Sequence, residues 1–170
     1  CPEGCTLQGM VCDGEVTAAR MPGFEAEDRV CALGRFAYAQ IMAVTAAQYS
    51  GVLGSSDIPE AIHYAVEKGA DVINMSFGGY IRSYVEEDAL AVAFGQAVLV
   101  GAAGNDSKVN RPCPLGRDMY PAAYNWVLGV MASTESGSIA SFSNFDCIPH
   151  DTHEYELMAP GADVWSTLPN

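Results

Sequence analysis

The sequence predicts an α/β fold, a three-layer sandwich in which helices cover both faces of a mostly parallel central sheet. Short apolar segments alternate with amphipathic helical segments in the order strand, helix, strand, helix, strand. Such an alternation requires right-handed crossovers, and these produce parallel strands. The chain has 170 residues, of which 49% are hydrophobic, and this is enough for one domain with a buried core.

The clearest predicted element is a helix over 58–68. Asp57 is a suitable N-cap, with Glu60 three residues later, and Gly69 stands where a C′ glycine ends a helix. A second helix is predicted over 84–95 from apolar residues at helical spacing. Its predicted apolar stripe consists of Val85, Ala89, Val92 and Ala93.

Apolar runs bounded by glycine or polar residues predict the strands. The predicted strands are 39–44, 72–77, 98–102 and 127–131, with shorter ones at 141–143, 156–158 and 163–165. Residues 1–35 have little periodicity and are interpreted as loop with one short helix near 16–20. Ligands of parallel sheets bind beyond the carboxyl ends of the strands, so the segments after the second and third of the longer strands are where chemistry is expected.

The charge balance is acidic, with 8 Lys and Arg against 21 Asp and Glu and a net charge of −13. This argues against a nucleic-acid partner, because phosphate binding needs clustered cations. It allows cationic substrates, cation binding, or simply a solvated acidic surface, and the last is favoured. No apolar run approaches the ~18 residues that a membrane span requires.

The six cysteines are Cys1, Cys5, Cys12, Cys31, Cys113 and Cys147. An even number favours an oxidising location, which is secreted, extracellular or lumenal. Up to three disulfides are expected, and their connectivity stays open. Zinc is the less favoured alternative, because no cysteine or histidine pair has a usual zinc spacing. The chain begins at Cys1 without Met or a signal peptide, so we expect either processing or a piece of something longer.

Four segments carry small and polar residues beside the predicted strands. They are 69–79 (GADVINMSFGG), 97–106 (AVLVGAAGND), 120–124 (YPAAY) with 140–144 (ASFSN), and 157–161 (LMAPG) with 164–169 (VWSTLP). In this order and at this spacing they resemble the subtilisin-like serine proteases, or subtilases. The resemblance divides the chain into a Cys-rich divergent leader over 1–36 and a protease core over 37–170, and it implies the three-layer α/β fold of that family, incomplete at both ends.

The resemblance also implies roles for two strand ends. Asn105 matches the asparagine that stabilises the oxyanion, and a neutral amide N–H can donate to a negative oxygen without adding a titratable charge. Gly-Asn-Asp is also ordinary turn chemistry. The implied substrate-binding residues are Ser76, Phe77 and Gly78 on one wall, and Ala102, Ala103 and Gly104 on the facing wall. Close packing at strand ends is the alternative explanation for their small size. Residues 49–51 fall near the second substrate-pairing strand of the family.

The family's Ser–His–Asp triad is not complete in this chain. Its motif Gly-Thr-Ser-Met-Ala, which carries the nucleophile, is not found. The nearest counterpart of its histidine motif begins at Asp13, and a carboxylate of ordinary pKa is too weak a base to replace imidazole near neutral pH. His63 is expected to be a surface or packing residue. His150 and His153 lie in a polar loop that looks inserted relative to the family, and weak metal binding there is less favoured than a flexible loop.

No cofactor is required by the implied chemistry. Glu154 and Glu156 are weak candidates for calcium together with backbone carbonyls, and two solvated acids are an equally good explanation. The implied partner is a peptide or protein substrate, and a partner chain could also cover exposed sheet edges.

Three hypotheses follow from the sequence. The chain is part of a working subtilisin-like endopeptidase, or a catalytically inactive relative that binds peptides or proteins, or a structural subunit of a larger extracellular assembly. The first predicts a nucleophilic serine in a longer product, the second predicts no hydrolysis, and the third predicts poor solubility of the isolated chain.

Overall fold

The computed structural model describes residues 17–18, 41–46, 53–54, 56–147 and 155–164. The chain divides into two compact units, one formed by Cys1–Gly54 with Trp165–Asn170 and the other by Ser55–Val164. The sequence-based boundary between a leader and a core at 36/37 stays a prediction.

In the first unit, β1 (Thr17–Ala18) pairs in parallel with β2 (Met42–Ala43). The short helix predicted near 16–20 is therefore wrong, because Thr17 and Ala18 pair with a strand that is distant in sequence instead of bonding locally. The β2 strand falls inside the predicted strand 39–44, of which residues 39 and 40 lie outside the described part.

The second unit is a four-stranded parallel sheet with two helices. Its elements are α1 (Asp57–Glu67), β3 (Val72–Met75), α2 (Tyr84–Phe94), β4 (Val98–Ala102), β5 (Leu128–Ser133) and β6 (Leu157–Pro160). The strand order is β3-β4-β5-β6, and each neighbouring pair is parallel. The predicted α/β class with a parallel sheet is confirmed.

The α1 helix begins and ends one residue earlier than predicted. Asp57 is its first residue, and the N-cap is Ser56, whose side chain makes no capping hydrogen bond. Gly69 follows the helix with a φ of 81°, and its N–H donates to the carbonyl of Val66 at 2.9 Å. This left-handed conformation is easily adopted only by glycine, which explains why the helix stops there.

Two of the short predicted strands are wrong. Residues 141–143 form a turn, in which Ser143 N–H donates to the carbonyl of Ala140 at 2.9 Å, and the carbonyl of Phe142 accepts from Ser107 N–H. The backbone of this segment is thus bonded to itself and to a loop rather than to a strand. Asp163 has a φ of 56°, which excludes an extended strand at that position, and residue 165 lies outside the described part.

The main core lies between the sheet and the two helices. Ile62 of α1 and Leu90 of α2 pack with Met75 and Leu99 on one face of the sheet, and each of these four is 3% exposed or less. Burial of such side chains contributes ~1.5–3 kcal/mol each. No described helix covers the opposite face. Its exposed apolar residues are Val72, Val98, Leu128 and Leu157.

The buried face of α2 differs from the predicted stripe. Ala89 and Ala93 are buried as predicted, but Val85 and Val92 are 64% and 61% exposed. Leu90 and Glu86 are buried instead. The helix is turned so that Leu90 fills the core beside the sheet, and this brings the carboxylate of Glu86 out of water. The helix carries apolar residues on most sides, so packing against the sheet decides which of its faces is buried.

The pKa of Glu86 is raised above its usual value, because burial disfavours the charged carboxylate, and the nearby Tyr124 hydroxyl offsets part of this effect. A raised carboxyl pKa means that the folded state holds the proton more tightly than the unfolded state. The resulting stability is present below the unfolded pKa of ~4.3 and is lost as pH rises through the folded pKa.

We therefore expect Glu86→Gln to raise the melting temperature at pH 7 by roughly 1–3 °C and to have no such effect near pH 4. Glu87→Gln is the matched control on the same helix turn. The pKa of Glu87 is lowered by its hydrogen bond with Arg82, so its removal should not stabilise the protein at pH 7. Thermal melts at both pH values decide the point, and a gain for Glu86→Gln that is equal at pH 4 and 7 contradicts it.

Candidate active site

The candidate site lies at the carboxyl ends of β3 and β4. These strands are paired in register, with Met75 opposite Gly101, so the segments that follow leave the sheet side by side. The structure thus places the residues implied by the sequence on two adjacent segments. They are Ser76, Phe77 and Gly78 after β3, Ala102 at the end of β4, and Ala103, Gly104 and Asn105 after it.

The segment after β3 is held against the chain near Tyr120. Gly79 and Tyr120 exchange two backbone hydrogen bonds, each of 2.9 Å. A Cβ on Gly78 would lie 2.6 Å from the carbonyl oxygen of Tyr120 and 2.9 Å from the sulfur of Met119. Glycine at 78 is therefore required by close packing within the chain. Ser76 is exposed and accepts a hydrogen bond from the Asn74 amide at 2.9 Å.

The segment after β4 turns sharply at Gly104. Ala103 is 1% exposed, and its N–H continues the sheet by donating to the carbonyl of Val130 at 2.9 Å. Gly104 has a φ of 102°, and a Cβ there would lie 2.5 Å from both the Asn144 amide nitrogen and the Met119 methyl carbon. This turn exposes the next residue, Asn105.

The side chain of Asn105 is available to a ligand. It is exposed and makes no hydrogen bond to any residue in the part of the chain that the structure describes. A free carboxamide at a strand end presents two N–H donors and one oxygen acceptor without a charge. The geometry is therefore suited to stabilising a negative oxygen on a bound molecule.

Sequence reasoning missed Met119, which lies between the two segments. The positions that a Cβ would take on Gly78 and on Gly104 are both within 3 Å of Met119 side-chain atoms, and Met119 is 6% exposed. Its thioether thus fills space between the two walls implied by the sequence. Nothing in the sequence pattern could have revealed this, because the residue belongs to a loop without periodicity.

A second missed residue is Asn144, which is fully buried and bonds to the turn around Gly104. The sequence indicates it only as part of the ASFSN segment, whose middle is predicted to be a strand. Tyr80 completes this region: its hydroxyl donates to Asp106 at 2.6 Å and accepts from the Asn144 amide at 3.0 Å.

Charges of both signs surround Tyr80. The Asp106 carboxylate accepts a hydrogen bond from the Tyr80 hydroxyl, and the guanidinium of Arg117 lies 5.5 Å from the Tyr80 ring centroid. The pKa of Tyr80 is raised, first because burial disfavours the phenolate and then because of the bond to Asp106. Tyr80 is accordingly a neutral donor at physiological pH.

A disulfide links the loop after Asn105 to the segment that ends at Cys147. Cys113 and Cys147 form a disulfide, with their Cα atoms 5.5 Å apart. Asp118 is buried and accepts from the backbone N–H and the Nε of Arg111, at 2.9 and 2.8 Å. The remaining cysteines lie outside the described residues, so their pairing stays open. They are Cys1, Cys5, Cys12 and Cys31.

The metal candidates are only partly described. Glu156 accepts a hydrogen bond from Gly129 N–H at 2.7 Å, so one of its oxygens supports the start of β5. Glu154, His150, His153 and Asp13 lie outside the described residues, as do residues 49–51. Among the described residues, no three His, Cys, Asp or Glu side chains are grouped so as to hold a metal ion. His63 is exposed on α1, as expected.

The described helices are all too short or too polar to cross a membrane.

Comparison with known proteins identifies the family. The model of the Subtilase family matches residues 11–170. This chain belongs to the subtilase family. It is 36% identical to subtilisin DY of Bacillus licheniformis over 131 residues, which cover 76% of this chain and 44% of that protein. It is also 37% identical to the major intracellular serine protease of Bacillus subtilis, over 66% of this chain and 33% of that protein.

Solved structures agree with the family assignment. A cold-adapted subtilisin-like serine proteinase superposes with a TM-score of 0.61 at 26% identity, over 74% of this chain and 42% of that protein. Other relatives are named as extracellular proteases. The chain spans less than half the length of each of these relatives. The subtilisin-like fold is therefore shown, and the activity of the whole protein is a matter for proposal.

The turn at Gly104 yields a direct prediction about stability. Gly104→Ala should destabilise the protein by about 1–3 kcal/mol, because alanine disfavours this φ, and its Cβ would in addition meet Asn144 and Met119. Gly95→Ala is the control, because a Cβ there meets nothing within 4 Å and its φ is −74°. Chemical denaturation of both variants checks this. Equal stability of the Gly104 variant and the unaltered chain refutes it.

Proposed function

We propose that this chain supplies the oxyanion donor and the substrate-binding walls of a serine endopeptidase, and that the whole protein hydrolyses peptide bonds. Membership of the subtilase family supports this, since proteases of known function carry the same fold. The observation that supports it most is Asn105, whose free, exposed amide stands on a glycine turn at the carboxyl end of a parallel strand.

In this proposal Asn105 acts when the carbonyl of the scissile bond becomes a tetrahedral oxyanion. Its amide N–H donates to the developing negative charge, and the backbone on both sides of it is fixed before the reaction, so little reorganisation of the turn is needed. The peptide lies along Ser76–Gly78 and Ala102–Gly104, at the ends of two adjacent strands, and pairs with them through its backbone. The reaction also needs a nucleophile and a general base, and the family's motifs for these two groups are not found among these 170 residues. The proposal therefore concerns the whole protein.

We also propose that the protein is secreted. The disulfide between Cys113 and Cys147 supports an oxidising compartment, although one of the relatives is named as intracellular. The proposed hydrolysis needs no cofactor. Calcium at Glu154 and Glu156 stays a prediction, and one oxygen of Glu156 already accepts a hydrogen bond from the backbone.

A fluorophosphonate probe applied to the whole protein tests the proposal. Covalent labelling of a serine, together with cleavage of a casein substrate, is the expected result. Asn105→Ala should then lower kcat by about 10²–10³-fold with little change in KM, because the amide acts on the transition state. Gln96→Ala is the control, since this exposed amide lies beyond the end of α2 and donates to the carbonyl of Val92, and it should leave kcat within about twofold of the unaltered protein. Absence of both labelling and cleavage overturns the proposal.

A peptide-binding module without hydrolysis is the second candidate function. The observation that favours it is Met119, which fills space between the two proposed walls and so opposes entry of a large side chain. An extended peptide could still pair with the strand ends through its backbone. A small peptide side chain would then be preferred at the position of the peptide that faces Met119.

The size preference can be measured by binding, whether or not the protein cleaves peptides. We expect Met119→Ala to strengthen binding of a peptide with Phe at this position by ~10-fold relative to the same peptide with Ala, because the thioether no longer occupies the space. Met131→Ala is the matched control, since Met131 packs in the same small cluster from β5. Calorimetric titration of both peptides provides the measurement. An unchanged ratio in Met119→Ala shows that Met119 does not limit the site.

A further inference from the structure

Asn144 is a fully buried polar residue that the proposed reaction does not use directly. It is 0% exposed, and its side chain makes four hydrogen bonds. A carboxamide has two N–H donors and two acceptor lone pairs, so this side chain is completely satisfied. A buried amide that is satisfied in this way contributes specificity to one arrangement of its partners, because any other arrangement leaves polar groups unpaired.

Asn144 bonds to the backbone both before and after Asn105. Before it, the Asn144 amide nitrogen donates to the carbonyl of Ala103 at 2.8 Å, and Asn144 N–H donates to the carbonyl of Gly104 at 2.9 Å. After it, the Asn144 amide oxygen accepts from the N–H groups of Asp106 and Lys108, at 3.1 and 2.9 Å. The backbone on each side of Asn105 is thus fixed to one residue.

The fourth side-chain hydrogen bond of Asn144 reaches the segment after β3, which is the other proposed wall. The Asn144 amide nitrogen donates to the Tyr80 hydroxyl at 3.0 Å, and that hydroxyl donates to Asp106 at 2.6 Å. Tyr80 follows Gly78 and Gly79 along the segment after β3. One buried amide therefore connects the segments that follow β3 and β4.

Only an asparagine side chain fits this set of partners. The position needs donors on one side, for the Ala103 carbonyl and Tyr80, and an acceptor on the other, for two backbone N–H groups. Aspartate keeps the acceptor and loses the donors. Gly104 is part of the same fit, because a Cβ there would lie 2.5 Å from the Asn144 amide nitrogen.

The chain contains an internal comparison in Asn110. It is also 0% exposed, and its side chain donates to Asp146 at 2.7 Å and accepts from Cys147 N–H. Its partners belong to the segment that carries the disulfide, and none of them is next to Asn105. A substitution of Asn110 therefore shows the effect of losing a buried asparagine on stability, without an effect on the backbone next to Asn105.

We propose that Asn144 is a positioning residue that holds the turn 103–108 in the single conformation from which Asn105 stabilises the oxyanion. This rests on the proposed function, because it assigns the oxyanion role to Asn105. Asn144 touches no substrate in this scheme. It acts through the backbone on either side of Asn105.

Kinetics of the whole protein test this with Asn144→Asp, which keeps the size of the side chain. We expect kcat to fall by roughly 10–100-fold, with KM changed by less than about twofold, because only the transition state uses the oxyanion donor. The double variant Asn105→Ala with Asn144→Asp should be no slower than Asn105→Ala by more than about twofold, because a positioning residue has no effect once its target is gone. If Asn144→Asp does not fold, Asn144→Ser takes its place with the same expectations.

Asn110→Asp is the matched control for lost stability. It should lower the melting temperature, as Asn144→Asp does, and leave kcat within about twofold of the unaltered protein. Losses that multiply in the double variant, or an equal fall of kcat in Asn110→Asp, overturn the positioning role.

Nitrogen-15 relaxation of the full chain supplies a readout that does not need activity. The order parameter of the Asn105 backbone N–H should fall from ~0.85 to below ~0.6 in Asn144→Asp and stay unchanged in Asn110→Asp. If the unaltered protein shows no hydrolysis, the proposed function fails while this measurement still decides the positioning role. A rigid Asn105 in Asn144→Asp overturns it.

Discussion

The parallel pairing of β3 with β4, in register from Val72 to Met75, is the constraint on which the rest of the second unit depends. Two parallel strands require a crossover, and α2 provides it by returning along one face of the sheet. The helix can do so only by burying a face against Met75 and Leu99, which also orders α1 beside it. Because the strands run the same way, both of their carboxyl ends then open at one edge, where the family's chemistry is expected.

The segments beyond this edge are held mainly by polar groups. The stretch 103–147 contains a disulfide, a buried carboxylate paired with Arg111, and two fully buried asparagines. Each buried polar group would cost free energy if unpaired, so these partners specify one path for a chain that has little regular secondary structure. A loop built in this way can place one exposed side chain, Asn105, reproducibly.

Close packing and function compete for the same glycines. Gly78 and Gly104 could admit a substrate backbone, yet in this structure the space that their missing side chains leave is taken by Met119, Tyr120 and Asn144. Met119 therefore bears on both explanations for the small residues at these strand ends, which are close packing within the chain and room for a substrate. A thioether suits such an irregular gap, since it has three rotatable bonds and no polar group to satisfy.

Sequence by itself determined the order of helices and strands in the second unit, the glycine end of α1 and the location of Asn105 at a strand end. These depend on local patterns, namely hydrophobic spacing, a left-handed position at Gly69 and motifs that are contiguous in the chain. Tertiary structure alone decided which face of α2 is buried, that 141–143 is a turn, and that Met119 and Asn144 stand between the two segments. The physical reason is that each of these depends on atoms that are distant in sequence: Leu90 is selected over Val92 by the sheet, and Asn144 is selected by carbonyl and amide groups about forty residues before it.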